Sequence, residues 1–219
     1  MINVDAVVLG CGWTGILISY FLLKKFPRAS VICIDKAEKP GGLLRSSVVK
    51  GFVFDTGGSH IIFSRNRQIT EEMISFLDNN VIFHERRAYI RFDNIYVSYP
   101  FENGIWVLPC EQRAEILVSF VEALLKRASD PNWRPASFQE WIYGFFGKEI
   151  ANLYLRPYNE KIWKRALDEI DVNWVYTPGR LPIPDWRNVI RSGAGKFTEG
   201  YKEQARFYYP LRGGIQALY

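Results

Sequence analysis

The spacing of apolar residues along the chain predicts an α/β unit followed by mainly helical structure. Short apolar runs bounded by glycine or polar residues indicate strands, and apolar residues recurring every three or four positions indicate helices. The predicted strands are Val4–Leu9, Ser30–Ile34, Ser46–Val49 and Phe52–Asp55, with a β-hairpin over Val81–Tyr99 interrupted at Asp93 and Asn94. The predicted helices are Ile16–Phe26, Ile69–Leu77, Gln112–Arg127, Phe138–Phe146 and Glu149–Trp163, the last two split at Gly147. From Asp168 onward, proline and glycine predict loops with short strands.

A glycine-rich loop joins the first predicted strand to the first predicted helix. Gly10, Gly12 and Gly15 have GxGxxG spacing, with Trp13 and Thr14 between the last two. In such a unit the first glycine permits a tight turn, the second lets a pyrophosphate approach the backbone, and the third lets the helix pack closely on the sheet. Free N–H groups at the helix N-terminus then bind the pyrophosphate. The loop therefore predicts a dinucleotide site, the alternative being a glycine-rich turn without a ligand.

An acidic residue stands where a dinucleotide site needs one. Asp35 ends the second predicted strand, about twenty residues beyond the loop, and Lys36 follows it. A carboxylate at this position accepts hydrogen bonds from the adenosine ribose. Because the same charge would repel a 2′-phosphate, the sequence disfavours NADP.

A second glycine pair, Gly41–Gly42, comes shortly after Asp35, with Leu43 and Arg45 next to it. FAD extends well beyond its pyrophosphate, so a second close approach of the backbone favours FAD over a nicotinamide cofactor. The pair resembles the glycine doublet of the FAD-dependent amine oxidase and protoporphyrinogen oxidase superfamily. In that superfamily an arginine placed like Arg45 lies near the flavin, whereas the alternative is an ordinary surface arginine.

Four further segments resemble the UDP-galactopyranose mutase family and occur in its order. They are Gly51–Ser64, Tyr99–Asn103 with Leu108–Pro109, Leu155–Trp163, and Tyr209–Ile215. The third is the most specific, because it matches an Arg-Pro-Tyr-Asn-x-Lys-x-Trp helix closely. The first departs from the family by one extra residue between Asp55 and His60.

This resemblance implies an FAD-dependent isomerase that interconverts the pyranose and furanose forms of a UDP-sugar. In the family, reduced FAD attacks the anomeric carbon through N5 and displaces UDP, without net redox change, so the protein supplies orientation and electrostatics. The main alternative is an FAD-dependent oxidoreductase of the amine oxidase or protoporphyrinogen oxidase type, since the first sixty residues fit both equally. A truncated chain that binds a dinucleotide or a partner without turnover is the third possibility.

The resemblance also assigns roles to individual residues. Besides the loop residues above, those implied at the flavin are Gly58, Ser59 and His60, and those implied at the substrate are Arg156, Tyr158, Asn159, Trp163 and Arg212. His60 and Arg156 are the implied catalytic residues, and the arginine fork suits the diphosphate oxygens. The alternatives are a structural histidine at His60, a helix-surface ion pair at Arg156 and a core position for Trp163.

The implied fold class is α/β, with a Rossmann-like FAD-binding domain and a mainly helical substrate-domain insertion. Residues 1–98 would form the first part of the FAD domain, and residues 99–219 the helical substrate or cap region with the start of the return to the FAD domain. Members of the family are expected to be about twice as long as these 219 residues. We therefore expect the C-terminal part of the fold to be absent, and either a missing C-terminal half or self-association to complete it.

Composition and charge narrow the classes of function and location that fit this chain. The net charge of +5 comes from scattered basic residues, which does not indicate nucleic acid, and no apolar run reaches the roughly twenty residues of a membrane span. Met1 leads directly into a strand, so we expect no signal peptide and a cytoplasmic location. Three widely spaced cysteines predict buried thiols, and two histidines are too few for a metal site.

Overall fold

The computed structural model describes residues 3–176, 181, 183–198 and 206–219. The strands are β1 (Ala6–Leu9), β2 (Val31–Ile34), β3 (Ser46–Val49), β4 (Phe52–Asp55), β5 (Val81–Glu85), β6 (Tyr89–Phe92), β7 (Ile95–Ser98) and β8 (Arg206–Pro210). The helices are α1 (Trp13–Lys25), α2 (Arg67–Ser75), α3 (Phe101–Gly104), α4 (Cys110–Ser129), α5 (Phe138–Ile150), α6 (Arg156–Trp163) and α7 (Trp186–Gly193). The chain divides into two compact units, one from residues up to 86 together with 206–219, and one from the described residues between 87 and 205.

The first unit contains the predicted strand–loop–helix–strand arrangement. β1 and β2 pair in parallel and α1 connects them, while β3 and β4 form an antiparallel hairpin. The parallel pairing follows from the crossover helix, because a tight turn can join only antiparallel strands. The buried apolar residues of this unit come from its loops and short turns, and are Leu44, Ile62, Leu77, Ile215 and Leu218.

The hairpin predicted over Val81–Tyr99 is wrong in its first half. β6 and β7 do form a hairpin, which turns at Asp93 with a φ of 48°. β5 pairs instead with β8, antiparallel, from Val81 opposite Pro210 to Glu85 opposite Arg206. The apolar pattern identifies each strand but carries no information about a partner so distant in sequence.

The second unit is mainly helical and surrounds a continuous aromatic and aliphatic core. Its largest fully buried side chains are Phe101, Phe120, Phe138, Trp141 and Ile142. The split predicted at Gly147 is present as a local break inside α5, where φ is 78° and ψ is 166°. A Cβ at Gly147 would lie 2.6 Å from the backbone oxygen of Ser119, so the glycine allows α4 and α5 to approach closely.

The helix α7 corrects the prediction of loops and short strands beyond Asp168. Asp185 begins it by accepting a hydrogen bond from the N–H of Arg187 at 3.0 Å, and Val189 is buried on its inner face. The sequence did not predict this eight-residue helix, because the prolines before it and the glycines at its end are typical of loops.

The predicted domains and the compact units divide the chain at different places. The β6–β7 hairpin, assigned by sequence to the first domain, belongs to the second unit, and β8 belongs to the first. The cysteine prediction also needs correction, because Cys110 is exposed while Cys11 and Cys33 are partly buried. Within the described ranges, no helix combines the length and apolar character needed to cross a membrane.

Candidate functional site

The loop between β1 and α1 leaves no space for a side chain at Gly15. A Cβ there would lie 1.9 Å from the carbonyl oxygen of Gly10. Gly10 has a φ of 98°, and its N–H donates to the carbonyl of Ile34 at 2.7 Å, so the chain leaves β1 in a sharp, anchored turn. This geometry brings the start of α1 directly against the end of β1.

The N-terminus of α1 is open to an anion. Gly12 precedes the helix, no side chain caps it, and its first turn contains no acidic residue. Its first N–H groups therefore keep the partial positive charge that suits a diphosphate. The ring of Trp13, which is partly buried, packs edge-on against Phe76 with centroids 6.0 Å apart, whereas Thr14 is exposed.

The second glycine pair lies against the first loop, backbone to backbone. The N–H of Gly41 donates to the carbonyl of Cys11 at 2.7 Å. A Cβ at Gly42 would lie 3.0 Å from the Cα of Gly12, and both glycines of the pair have positive φ. Two segments separated in sequence thus form one surface, here called the glycine cradle, consisting of Gly10, Gly12, Gly15, Gly41 and Gly42.

Asp35 and Arg45 each hydrogen-bond to the backbone of one of the two segments that form the glycine cradle. The Asp35 carboxylate accepts the N–H of Cys11 at 2.7 Å and that of Ala37 at 2.8 Å. These bonds, from Ala37 first and then Cys11, lower the pKa of Asp35 below its usual range, aided by the charges of Arg45 and Lys36. Arg45 donates through Nε to the carbonyl of Gly42 at 3.0 Å. The ionised carboxylate therefore shapes the loop as well as carrying the charge expected of a ribose-binding residue.

The segment around His60 borders the cradle through Leu43. A Cβ at Gly57 would lie 2.1 Å from the carbonyl oxygen of Leu43, so these two backbones are in contact. Gly58 and Ser59 are exposed, whereas Nε2 of His60 is buried and has no hydrogen-bond partner within the part of the chain that the structure describes. A buried polar atom without a partner is costly and frequently marks a functional position.

Sequence reasoning missed the hydrogen-bonding role of Asp55, at the end of β4. Its carboxylate accepts from Ser46 Oγ at 2.7 Å, from the hydroxyl of Tyr209 at 2.6 Å and from the N–H of Ile215 at 3.1 Å. These bonds hold the turn after β8 onto the β3–β4 hairpin. The one available signal was a single acid ending an otherwise apolar strand. In the same turn Arg212 is exposed, and its backbone pairs with the Asn80 side chain at 2.9 and 3.0 Å.

The Asp55 network should make stability fall at alkaline pH through Tyr209. Burial, the hydrogen bond to Asp55 and the charge of Asp55 raise the pKa of Tyr209 to about 12. Because this folded-state pKa lies above the usual value of about 10, the contribution is complete below pH 10 and is lost as pH rises through 12. Urea unfolding at pH 8 and 11 should show a smaller pH-dependent loss for Tyr209→Phe than for the parent. The control Tyr96→Phe, at a side chain 67% exposed, should lose as much as the parent; an unchanged loss in Tyr209→Phe would contradict the assignment.

The second unit holds the other set of candidates, at the start of α6. Arg156 follows a π-helical turn over Ala151–Leu155, an irregularity often found at functional sites. Its Nε donates to Glu160 at 2.9 Å, and its side chain is 48% exposed. The bonds to Glu160 and Tyr143 raise the pKa of Arg156 further, so the guanidinium stays charged. The ion pair expected of a structural arginine is present, and about half of the side chain is exposed to solvent.

The neighbours of Arg156 occupy three different environments. The ring of Tyr158 is 47% exposed and stacks on Tyr154, which stacks in turn on the buried ring of Phe101. Asn159 is buried, and its amide donates to the carbonyl of Leu155 at 2.7 Å. Trp163 is 45% exposed with its ring tilted against Trp174, so it lies at the surface rather than in the core. The candidates thus fall into two sets, the cofactor residues and Arg212 in the first unit and this group in the second.

Comparison with known proteins agrees with both the loop and the wider resemblance. Residues 8–77 match the family described as NAD(P)-binding Rossmann-like domain. UDP-galactopyranose mutase of Mycoplasma pneumoniae is 24% identical over 76% of this chain and 42% of its own length. The chain therefore spans less than half the length of that curated relative.

Two solved structures share the fold. A crystal structure of reduced UDP-galactopyranose mutase superposes with a TM-score of 0.84 and 27% identity, covering 99% of this chain and 45% of the other. A candidate protoporphyrinogen oxidase from Exiguobacterium sp. 255-15 superposes with a TM-score of 0.58 and 18% identity, over 100% of this chain and 50% of the other. These matches confirm the α/β fold class and the resemblance to UDP-galactopyranose mutase.

Proposed function

We propose that this chain is an FAD-dependent flavoprotein that interconverts the pyranose and furanose forms of a UDP-sugar with reduced flavin. The observation that carries the proposal is the glycine cradle, in a chain that superposes over 99% of its length on reduced UDP-galactopyranose mutase. The second glycine pair gives a dinucleotide more close backbone contact than the GxGxxG loop alone would provide.

The residues of the first unit fit FAD. The open N-terminus of α1 would take the pyrophosphate, Asp35 the ribose of the adenosine, and Arg45 with Leu43 the approach to the flavin. The unpartnered Nε2 of His60 would gain a hydrogen-bond partner at the flavin-adjacent segment. Reduced FAD, when bound, supplies the nucleophile for the sugar.

The residues of the second unit fit the leaving group. Arg156 would bind the diphosphate through its exposed guanidinium and stabilise the negative charge that develops as UDP departs. Tyr158 offers an exposed ring backed by two further stacked rings, which suits contact with a sugar nucleotide. Trp163, which is surface-accessible, is a further proposed substrate contact in this unit. Arg212, which is exposed in the first unit, is proposed as a substrate contact there.

An FAD-dependent oxidoreductase is the second candidate, supported by the fold shared with the protoporphyrinogen oxidase candidate. The cradle fits either chemistry, because both need only the cofactor at this position. Arg156 and the aromatic stack favour the mutase, since oxidation of an amine or a porphyrinogen requires no diphosphate partner. The third candidate is a chain that binds a dinucleotide without turnover.

A flavin-retention experiment tests the proposal. The purified chain is incubated with FAD, freed of excess and examined by visible absorption, then reduced with dithionite and supplied with UDP-galactofuranose. Retained flavin with formation of UDP-galactopyranose supports the mutase. Retained flavin with peroxide formation from an amine or a porphyrinogen supports the oxidoreductase instead, and retained flavin with neither activity supports binding alone. A colourless protein would contradict all flavin-dependent functions for this chain by itself.

A further inference from the structure

Two cysteines lie together inside the glycine cradle. Cys33, on β2, directs its thiol to the carbonyl oxygen of Gly10 at 3.6 Å. Gly10 directly precedes Cys11 in the loop, so the Cys33 sulfur lies beside the backbone that carries Cys11. Both residues are reduced and only partly buried, so small reagents can reach them.

We propose that Cys11 and Cys33 form a reversible intrachain disulfide that weakens dinucleotide binding at the glycine cradle. The effect on binding rests on the proposed FAD function, whereas formation of the disulfide does not. The ligand class concerned is any adenine dinucleotide that places its pyrophosphate on the loop.

The strand register makes this crosslink feasible. β1 and β2 pair with Val8 opposite Cys33 and Leu9 opposite Ile34. One step further, the N–H of Cys11 is bonded to the Asp35 carboxylate at 2.7 Å, so the two cysteines belong to adjacent, already anchored segments. Adjacent segments of this kind allow the short separations between Cβ atoms that a disulfide needs.

The crosslink would disturb the cradle because the backbone of Cys11 hydrogen-bonds both to Asp35 and to the second glycine pair. Its N–H binds Asp35, and its carbonyl accepts the N–H of Gly41 at 2.7 Å. A disulfide bond of about 2 Å would tie Cys11 to β2, which carries Cys33. The backbones of Gly42 and Gly12 are already in close contact, because a Cβ at Gly42 would lie 3.0 Å from the Cα of Gly12. The loop therefore has little room to shift in response to the crosslink. The N–H groups that face the pyrophosphate should therefore shift, and affinity should fall.

The oxidant required is a hydroperoxide, and the step balances with it. The Cys33 sulfur attacks the peroxide O–O bond as its thiolate, and one oxygen leaves as water, giving a sulfenic acid. The Cys11 sulfur then displaces the second oxygen as water, so two thiols and one peroxide give one disulfide and two waters. The neighbouring Cys33 thiol, burial and the negative charge of Asp35 raise the pKa of Cys11 to about 11. Cys11 is therefore the second thiol to react, since the first step needs a thiolate.

The test is a titration of the reduced full chain with hydrogen peroxide. Intact mass should fall by two hydrogen atoms, and peptide mapping should link Cys11 to Cys33. FAD affinity, measured by flavin fluorescence, should fall roughly tenfold and return after dithiothreitol. By linkage, saturating FAD stabilises the dithiol form and should raise the reduction potential of the pair by about 30 mV for each tenfold difference in affinity.

Two variants separate the possible results. Cys33→Ser should keep its FAD affinity after peroxide, whereas Cys110→Ser should respond like the parent, because Cys110 is exposed in the second unit. Absence of the linked peptide, or a linked peptide with FAD affinity unchanged, would overturn the inference. A reduced chain that binds no FAD would contradict the proposed function and the ligand effect together, while the mass measurement would still decide whether the disulfide forms.

Discussion

Gly15→Ala is expected to abolish flavin retention and to lower the free energy of unfolding by about 3 kcal/mol or more. The added Cβ would stand 1.9 Å from the carbonyl oxygen of Gly10, which is backbone and cannot rotate away. Relief requires α1 to move off β1, and that movement carries the open helix N-terminus away from the cradle. Urea unfolding and visible absorption after incubation with FAD measure the two effects.

Gly51→Ala provides the matched control for this substitution. Gly51 has a positive φ, 84°, which Gly15 does not, but a Cβ at Gly51 meets nothing within 4 Å. Alanine at Gly51 is therefore destabilised only by the left-handed backbone, by about 1–2 kcal/mol. We expect Gly51→Ala to retain flavin. Equal losses in the two variants, or flavin retention by Gly15→Ala, would show that close packing at the loop is not what builds the site.

The part of the fold that the sequence predicted well is the part built by local contacts. The glycine spacing, the strand before it and the helix after it lie within one short stretch, and each glycine acts on backbone close to it. The second pair contacts the first loop through Gly41 and Cys11, while its role for the same ligand stays a prediction.

The features that the sequence did not predict depend on distant or weakly patterned partners. β5 pairs with β8, and the second unit lies between these strands in the sequence. The apolar pattern of one strand does not identify a partner that is so distant. Asp55 shows the same limit, because its bonds to Tyr209 and Ile215 join the two ends of the first unit. The helix α7 was missed for a local reason: it is short and flanked by proline and glycine.

Arg156→Ala is expected to reduce kcat/KM with a UDP-sugar by about 100-fold or more and to weaken UDP binding measured by calorimetry. The half-exposed arginine would be lost from the proposed diphosphate site, while its bonds to Glu160 and Tyr143, made near the surface, disappear from the fold. Such pairs contribute little, so the free energy of unfolding should change by less than about 1 kcal/mol. Arg156→Lys should recover only part of the loss, because an ammonium group keeps the charge but cannot donate as a planar fork.

Arg165→Ala is the control that separates a ligand contact from a surface ion pair. Arg165 pairs with Glu169 at 3.5 Å, with the same i,i+4 spacing, and its side chain is 72% exposed. If Arg156 acts on the diphosphate, Arg165→Ala should leave UDP affinity and turnover unchanged while its effect on unfolding matches that of Arg156→Ala. If both substitutions change UDP affinity equally, or neither does, Arg156 is one more helix-surface arginine and the diphosphate must be bound elsewhere. UDP affinity is the deciding measurement, because it reports on the arginine whether or not flavin is bound.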